Sequence, residues 1–284
     1  MDIDYLVLGH IAHDKTPHGP QLGGTVAYGA AAARAMGLRV GMVTSAHPDD
    51  PVLAQLAGIT LHLIPAESST IFVNTYTDAG RIQTIEGHAR VLTFGDLPAD
   101  WRKAAIVHLA TIARELDETL IPANFPDSLV GVTPQGLIRT WNEDGLVSTG
   151  PWTEAELYLP TAAVTVFSDE DLGMSTALER RYATMASRLV VTRGPLGATL
   201  YTQGRRQDFP APDIKEAKHL TGAGDIFIGT LLAYLHYAPD AWEKAVQVAV
   251  TVASVFVEQC EDPGVPGQRC MQHIMADSRV RALL

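Results

Sequence analysis

The sequence predicts an α/β fold: a doubly wound, mostly parallel sheet with a small β-hairpin lid, in a single domain over residues 1–284. Three observations carry this. Short, nearly continuous apolar runs, the mark of strands buried on both faces, alternate with helical stretches. An alanine-rich helix links the first two runs into a βαβ unit, which makes the strands parallel. One stretch, "STIFVNTYTDAGRIQTIEG", mixes polar and apolar residues around a turn at "TDAG" and reads as a hairpin projecting from the sheet edge.

The elements follow in order. "IDYLVLGHI" is the first strand, "TVAYGAAAARAMG" a helix with Gly37 at its C′ position, and "LRVGMVTSA" the next strand. "AAIVHLATI", "SLVGVTP", "AAVTVFS" and "SRLVVTRG" are further buried strands, with "DEDLGMSTALERRYATMAS" a helical stretch. "ATLYTQGRRQDFPA" reads as a second hairpin. The chain closes with two helices, "GAGDIFIGTLLAYLHYA" and "DAWEKAVQVAVTVASVFVEQ", apolar at helical spacing. Lid segments are expected near 12–20 and 70–90.

Hydrophobic residues make up 46% of the 284, enough for a sizeable core. The formal charge is -11 and no long Lys/Arg run occurs, which argues against nucleic acid or an anionic membrane as partner. No apolar run reaches the roughly 18 residues of a membrane span, and "MDIDYLVLGHIAHD" lacks a basic n-region. The two cysteines, Cys260 and Cys270, make no disulfide framework. The expectation is a cytoplasmic protein with reduced thiols, a Cys260–Cys270 disulfide being left open.

The chemistry centres on "HLTGAGDIFIGTLLAYL", where an apolar helix opens on Gly222, Ala223, Gly224 and Asp225. Helix interiors disfavour glycine by about 1 kcal/mol against alanine, and a cap needs only one permissive residue. N–H groups at a helix start favour anions, and glycines let an anion reach the backbone. Such a cradle suits charge developing in phosphoryl transfer, with Asp225 beside it to accept a proton from an attacking hydroxyl. Taken alone, the same residues also suit a tight turn with Asp225 complementing the helix dipole.

"HLTGAGDIFIG" resembles the C-terminal signature of the ribokinase (PfkB) family of carbohydrate kinases: Thr221, Gly222, Ala223, Gly224, Asp225, Phe227 and Gly229 fall in register. His219 and Leu220 stand where that family has aspartate and threonine. "GHIAHDKTPHGPQLGGTVAYGAAAARAMG" is similar to the family's first motif, with Asp14 at the end of the first strand and Gly23 and Gly24 before the helix. "VVTRGPLGATLY" resembles its nucleotide segment through Thr192, Gly194 and Gly197. "VFSDEDLG" occupies the place of an Asn-x-x-Glu motif and reads Ser168-x-x-Asp171. "GVTPQGLIRTWNEDG", with Gln135, Gly136 and Arg139, is similar to the short branch that includes plant myo-inositol kinases.

The resemblance implies a ribokinase-like fold and an ATP-dependent kinase acting on a hydroxyl of a small sugar or polyol, such as a cyclitol. Asp225 would be the catalytic base, and the N–H groups of 222–225 the anion hole. Asp14, Gly23, Gly24, Tyr28 and Arg139 would meet the substrate; Thr192, Gly194, Gly197 and Thr221 the nucleotide; Asp171 would hold Mg²⁺. Read without the resemblance, Asp14 is a turn residue, Ser168 and Asp171 cap a helix, and Arg139 makes a surface ion pair. Related lids pair, so a homodimer is expected by analogy.

Two alternatives stand: a nucleoside kinase, with Tyr28 stacking on a base, and a non-catalytic sugar- or nucleotide-binding protein on the same fold. His10, His13 and His18 have no HExxH helix or cysteine pair behind them, which disfavours zinc. The absence of GxxxxGK[ST], GxGxxG after the first strand and GxSxG disfavours a P-loop kinase, a dinucleotide enzyme and an α/β-hydrolase.

Overall fold

A computed structural model of the chain describes residues 2–16, 19–77, 80–262 and 264–284. His18 and the middle of the turn expected at "TDAG" lie outside them. The elements begin with β1 (Tyr5–Leu8), β2 (Ala12–Thr16), β3 (Gly19–Gly23), α1 (Thr25–Ala35), β4 (Val40–Ala46) and β5 (Thr60–Pro65). Next come β6 (Thr70–Thr77), β7 (Gly80–Gly87), β8 (Ile106–Ala110), β9 (Leu129–Thr133), α2 (Gln135–Ile138), β10 (Arg139–Trp141), β11 (Val147–Thr149) and α3 (Ala155–Tyr158). The chain continues through β12 (Val164–Ser168), α4 (Thr176–Met185), β13 (Arg188–Thr192), β14 (Ala198–Thr202) and β15 (Arg205–Phe209). It closes with α5 (Ala223–Tyr237), α6 (Trp242–Gln259), α7 (Gln268–Ala276) and α8 (Ser278–Arg281).

The main sheet has nine strands in the order β15-β14-β13-β12-β9-β8-β1-β4-β5. From β5 to β13 every pairing is parallel; β14 and β15 add an antiparallel edge, the second expected hairpin. The continuous apolar runs have their reason in double burial. In β1, Tyr5 and Val7 enter the core on one face, Leu6 and Leu8 that on the other. The edge strand β5 is legible only in the structure: His62 breaks its apolar run, and it is half-buried along its length.

Helices α1, α5 and α6 cover one face. The other carries α4, the short α2 and α3, and an aromatic cluster in which the Trp152, Phe167 and Tyr182 rings meet. Helices α1 and α5 start side by side at the carboxyl edge of the sheet. They approach so closely that a Cβ on Gly229 would stand 2.6 Å from the Gly29 carbonyl oxygen. That contact keeps the first turns of both helices together.

The lid is a four-stranded sheet, β3-β2-β6-β7, with β2 and β6 parallel and the other pairs antiparallel. It rests on the body through Ala12, Phe72 and Ile85 against Ile112 and Ala113. One placement differs from expectation. Asp14 is not at the end of the first strand, which stops at Leu8, but in the middle of lid strand β2. The Ile11 N–H donates to Thr44 Oγ1 at 2.9 Å, and His10 is anchored to Thr70 and Arg90; together these bonds steer the chain off the main sheet.

Candidate active site

Helix α5 begins with Gly222 at its N-cap, in the left-handed conformation (φ 82°) that an L side chain adopts only at a cost. Below it lies the Tyr28 ring: a Cβ at position 222 would come within 2.3 Å of it. The next N–H groups belong to the first helical turn. That of Ala223 is turned to the Leu220 carbonyl at 3.3 Å, and Ile226 closes the first helical bond to the Gly222 carbonyl at 2.8 Å. Gly224 and Asp225 have no intrahelical carbonyl to donate to. The missing side chain of Gly224 faces open space, with no atom within 4 Å of its Cβ position. The cradle is therefore narrower than the four successive groups expected from sequence, because Ala223 is committed to the turn.

Asp225 is partly buried, and burial raises its carboxyl pKa to about 6. The Thr25 hydroxyl and the Arg139 guanidinium pull against that shift; the Asp171 carboxylate adds to it. Thr25 sits beside Asp225 without full hydrogen-bond geometry, at the start of α1. A carboxylate tuned near 6 is suited to general-base work close to neutral pH.

Arg139 lies where α2 ends and β10 begins. Its Nη1 donates to the Ile112 carbonyl at 2.9 Å, and its guanidinium stands 5.6 Å from the centroid of the Phe72 ring on the lid. These contacts place Arg139 between lid and body, within electrostatic range of Asp225. Asp14 pairs in register with Phe72, so the two side chains share a face of the lid. Its carboxylate occupies the space beside Gly23: a Cβ there would sit 2.2 Å from Oδ2. Gly24, with φ 91°, is the N-cap of α1. His13 points to the opposite face and pairs with Asp50 at 3.1 Å.

Ser168 and Asp171 cap each other: the Ser168 N–H donates to Asp171 Oδ2, and the Asp171 N–H to Ser168 Oγ, both at 3.0 Å. They close a turn and not a helix start: α4 begins later, at Thr176, with Ser175 as its N-cap. The same turn keeps the Asp171 carboxylate near enough to raise the pKa of Asp225. Thr192 lies alongside Ser168 in the sheet, its hydroxyl donating to the Phe167 carbonyl at 3.3 Å. The turn after it carries Gly194 and Gly197, and Gly197 packs against the Phe209 carbonyl with no room for a side chain. Thr221 is exposed just before the cradle.

Tyr28 is the site residue that the structure moves furthest. It is 2% exposed, lies under Gly222 and meets Phe256 edge-on at 6.4 Å. Its ring is a floor for the turn, not a surface for a sugar or a base. Two residues escaped the sequence analysis. Thr25 follows directly on the Gly23–Gly24 pair, which was its available signal. Glu115 is fully buried and accepts the N–H groups of His10, Ile112 and Ala113, tying the turns after β1 and β8 together. Nothing in "ATIARELD" marks this acid from its neighbours. Among the described residues the only cluster with metal-ligand geometry is Cys260, Asp262 and Cys270, and it includes neither His10 nor His13.

Residues 161–262, from just before β12 to just past α6, match the family described as pfkB family carbohydrate kinase. The chain carries a pfkB-family segment within a ribokinase-like fold. No curated protein matches it by sequence. Among solved structures, a pyrophosphate-dependent kinase in the ribokinase family, complexed with a pyrophosphate analog and myo-inositol, superposes with a TM-score of 0.79 at 20% identity, covering 94% of this chain and 99% of that one. Arabidopsis thaliana ribokinase complexed with ribose and ATP gives 0.72 at 17% identity, covering 98% and 100%. Fructokinase with bound ATP from Xylella fastidiosa gives 0.69 at 15%, covering 96% and 98%. The pfkB segment includes the cradle, Asp225, Asp171 and the Thr192–Gly197 turn. No helix among the described residues is long and apolar enough to cross a membrane.

Proposed function

We propose that this sugar or polyol kinase transfers the γ-phosphate of ATP to a hydroxyl of a small polyol, with a cyclitol such as myo-inositol as the leading acceptor. The observation that carries the reading is Asp225. It stands in the first turn of α5 beside the open Gly224 position, with burial raising its pKa to about 6 and the Arg139 charge pulling against that shift.

In this reading Asp14 holds two acceptor hydroxyls, as an acceptor-only carboxylate can. The lid closes over the acceptor and excludes water. Asp225 takes the proton of the attacking hydroxyl, and the N–H groups at the start of α5 face the negative charge on the phosphoryl group. Arg139 fixes the acceptor from the lid side. Thr192, Gly194, Gly197 and Thr221 line the donor side, where Leu196 and Leu220 are exposed apolar side chains suited to a base.

Asp171 fits as the residue that would hold Mg²⁺, since a cation there offsets its repulsion with Asp225. When bound, Mg²⁺ would neutralise donor phosphate charge. Pairing of two lids in a homodimer belongs to the same reading, and the mass in solution tests it.

A second donor has a specific observation behind it. The pyrophosphate-dependent kinase superposes with a higher TM-score than the ATP-complexed ribokinase, 0.79 against 0.72. The deciding experiment offers Mg·ATP and Mg·pyrophosphate in parallel against cyclitols, pentoses, hexoses and nucleosides, with Asp225→Asn beside the wild type. Phosphorylated cyclitol from ATP, lost in the variant, supports the reading. Turnover with pyrophosphate alone replaces the donor, and turnover on nucleosides alone replaces the acceptor. Binding of acceptor and donor without transfer would leave a binding protein.

A further inference from the structure

We propose that Cys260 and Cys270 form a reversible dithiol–disulfide site that staples the end of α6 to α7 beneath the segment leading into the α5 cradle. The chain has two cysteines, ten positions apart, and their Sγ atoms lie 2.6 Å from each other. Cys260 caps α6 and is fully buried, while Cys270, in the first turn of α7, is partly exposed. Both sulfurs lie in one apolar cluster that joins α1, α6 and α7. Their separation is only about half an ångström longer than a sulfur–sulfur bond. The Cys270 S–H points at the Cys260 sulfur and holds its pKa below the usual thiol value.

The position gives the bond a consequence. The Val257 carbonyl, one turn before Cys260, accepts the N–H of Lys218 at 2.8 Å and of His219 at 3.2 Å. The His219 ring stands edge-on to Phe256 at 5.3 Å, and Phe256 meets Tyr28, the floor under Gly222. The last turn of α6 therefore supports the strand of chain that ends in the cradle. A covalent link from Cys260 to α7 holds that turn in place.

Asp262 completes a set of three metal-ligand atoms within 4.8 Å of one another, which raises a competing occupant. Two thiolates on one tetrahedral zinc, each about 2.3 Å from it, stand roughly 3.8 Å apart. The observed sulfur separation is much shorter. Asp262 Oδ2 also accepts the Gly267 N–H at 3.0 Å, closing the turn between the cysteines. The arrangement suits a sulfur–sulfur bond better than an ion.

The step balances with a low-molecular-weight disulfide such as oxidised glutathione. The partly exposed Cys270 thiol, whose own pKa is raised by its hydrogen bond to Cys260, passes its proton to the Cys260 sulfur as it attacks one of the glutathione sulfurs and expels a thiolate. The Cys260 sulfur then gives up that proton, attacks Cys270 Sγ and expels the second. Two electrons pass to the external disulfide, and the two thiol protons end on the released glutathione.

The test incubates the full chain in glutathione buffers from fully reduced to fully oxidised and reads denatured mass and free thiols. The expected oxidised form is a monomer lighter by two hydrogens, with no free thiol against two in the reduced form. Dithiothreitol should restore both. Its melting temperature should rise by several degrees, and amide exchange over 215–222 should slow. In Cys270→Ser and Cys260→Ala, melting and exchange should no longer respond to the buffer. Thiols that stay free in every buffer, a stable glutathione adduct on Cys270, or a crosslinked dimer would overturn the proposal. So would one zinc per chain, bound by the reduced protein and protecting both thiols.

Discussion

Gly222 and Tyr28 fit together as turn and floor: a Cβ at 222 would stand 2.3 Å from the Tyr28 ring, which is itself 2% exposed. The first N–H groups of α5 take their direction from this contact. Gly222→Ala meets two obstacles, the left-handed backbone and the ring. We expect it to destabilise the fold by about 2–3 kcal/mol and to lower kcat by roughly tenfold or more. The acceptor KM should change little, since the lid residues are untouched. Thermal melting and steady-state kinetics check both.

Asp225→Asn separates function from stability. Loss of the base should lower kcat by about 10²-fold or more. The folded carboxyl has its pKa raised to about 6 by burial, above its unfolded value of 3.8. Ionising it in the fold therefore costs stability. That cost is fully present above pH 6, shrinks as pH falls towards 3.8, and is absent below. The asparagine variant should be more stable than wild type at pH 7–8, by about 3 kcal/mol, and lose this advantage near pH 4. Equal melting of the two proteins at pH 7.5 would contradict the buried-carboxylate account.

The pH–rate profile should fall on its acid side with a midpoint near 6, as Asp225 takes up a proton. Arg139 and Asp171 push that midpoint in opposite directions. Arg139→Gln should move it to higher pH and Asp171→Asn to lower pH. A shift in the same direction for both would argue against Asp225 as the titrating group.

The two faces of lid strand β2 give a paired test. Asp14 shares a face with Phe72, while His13 turns to Asp50 on the other side. Asp14→Asn should raise the acceptor KM by tenfold or more with the donor KM unchanged. His13→Gln should leave both within about twofold, its effect confined to a melting-temperature loss of a few degrees.

Much of the fold was legible because its signals are local. Double burial makes β1, β4, β8, β9, β12 and β13 continuous apolar runs, and α5 and α6 carry apolar residues at helical spacing. Strand β5, at an edge and half-buried, gives no such signal. Asp14 was assigned to the first strand because nothing local shows that Ile11 donates to Thr44, on the neighbouring strand. Glu115 was missed for the same reason: its three N–H donors become its partners only after folding.

By itself the sequence determined the doubly wound parallel sheet, the β6–β7 hairpin of the lid, and a glycine-opened helix bearing Asp225, all consequences of periodicity and backbone freedom within a few residues. Only the tertiary structure decided what surrounds Asp225. The close crossing of α1 and α5 puts Thr25 beside it and Tyr28 under the cradle, and the meeting of lid and body brings Arg139 within electrostatic range of it. These groups come from segments far apart in the chain. A residue's burial, its electrostatic neighbours and hence its pKa exist only once those segments are packed together.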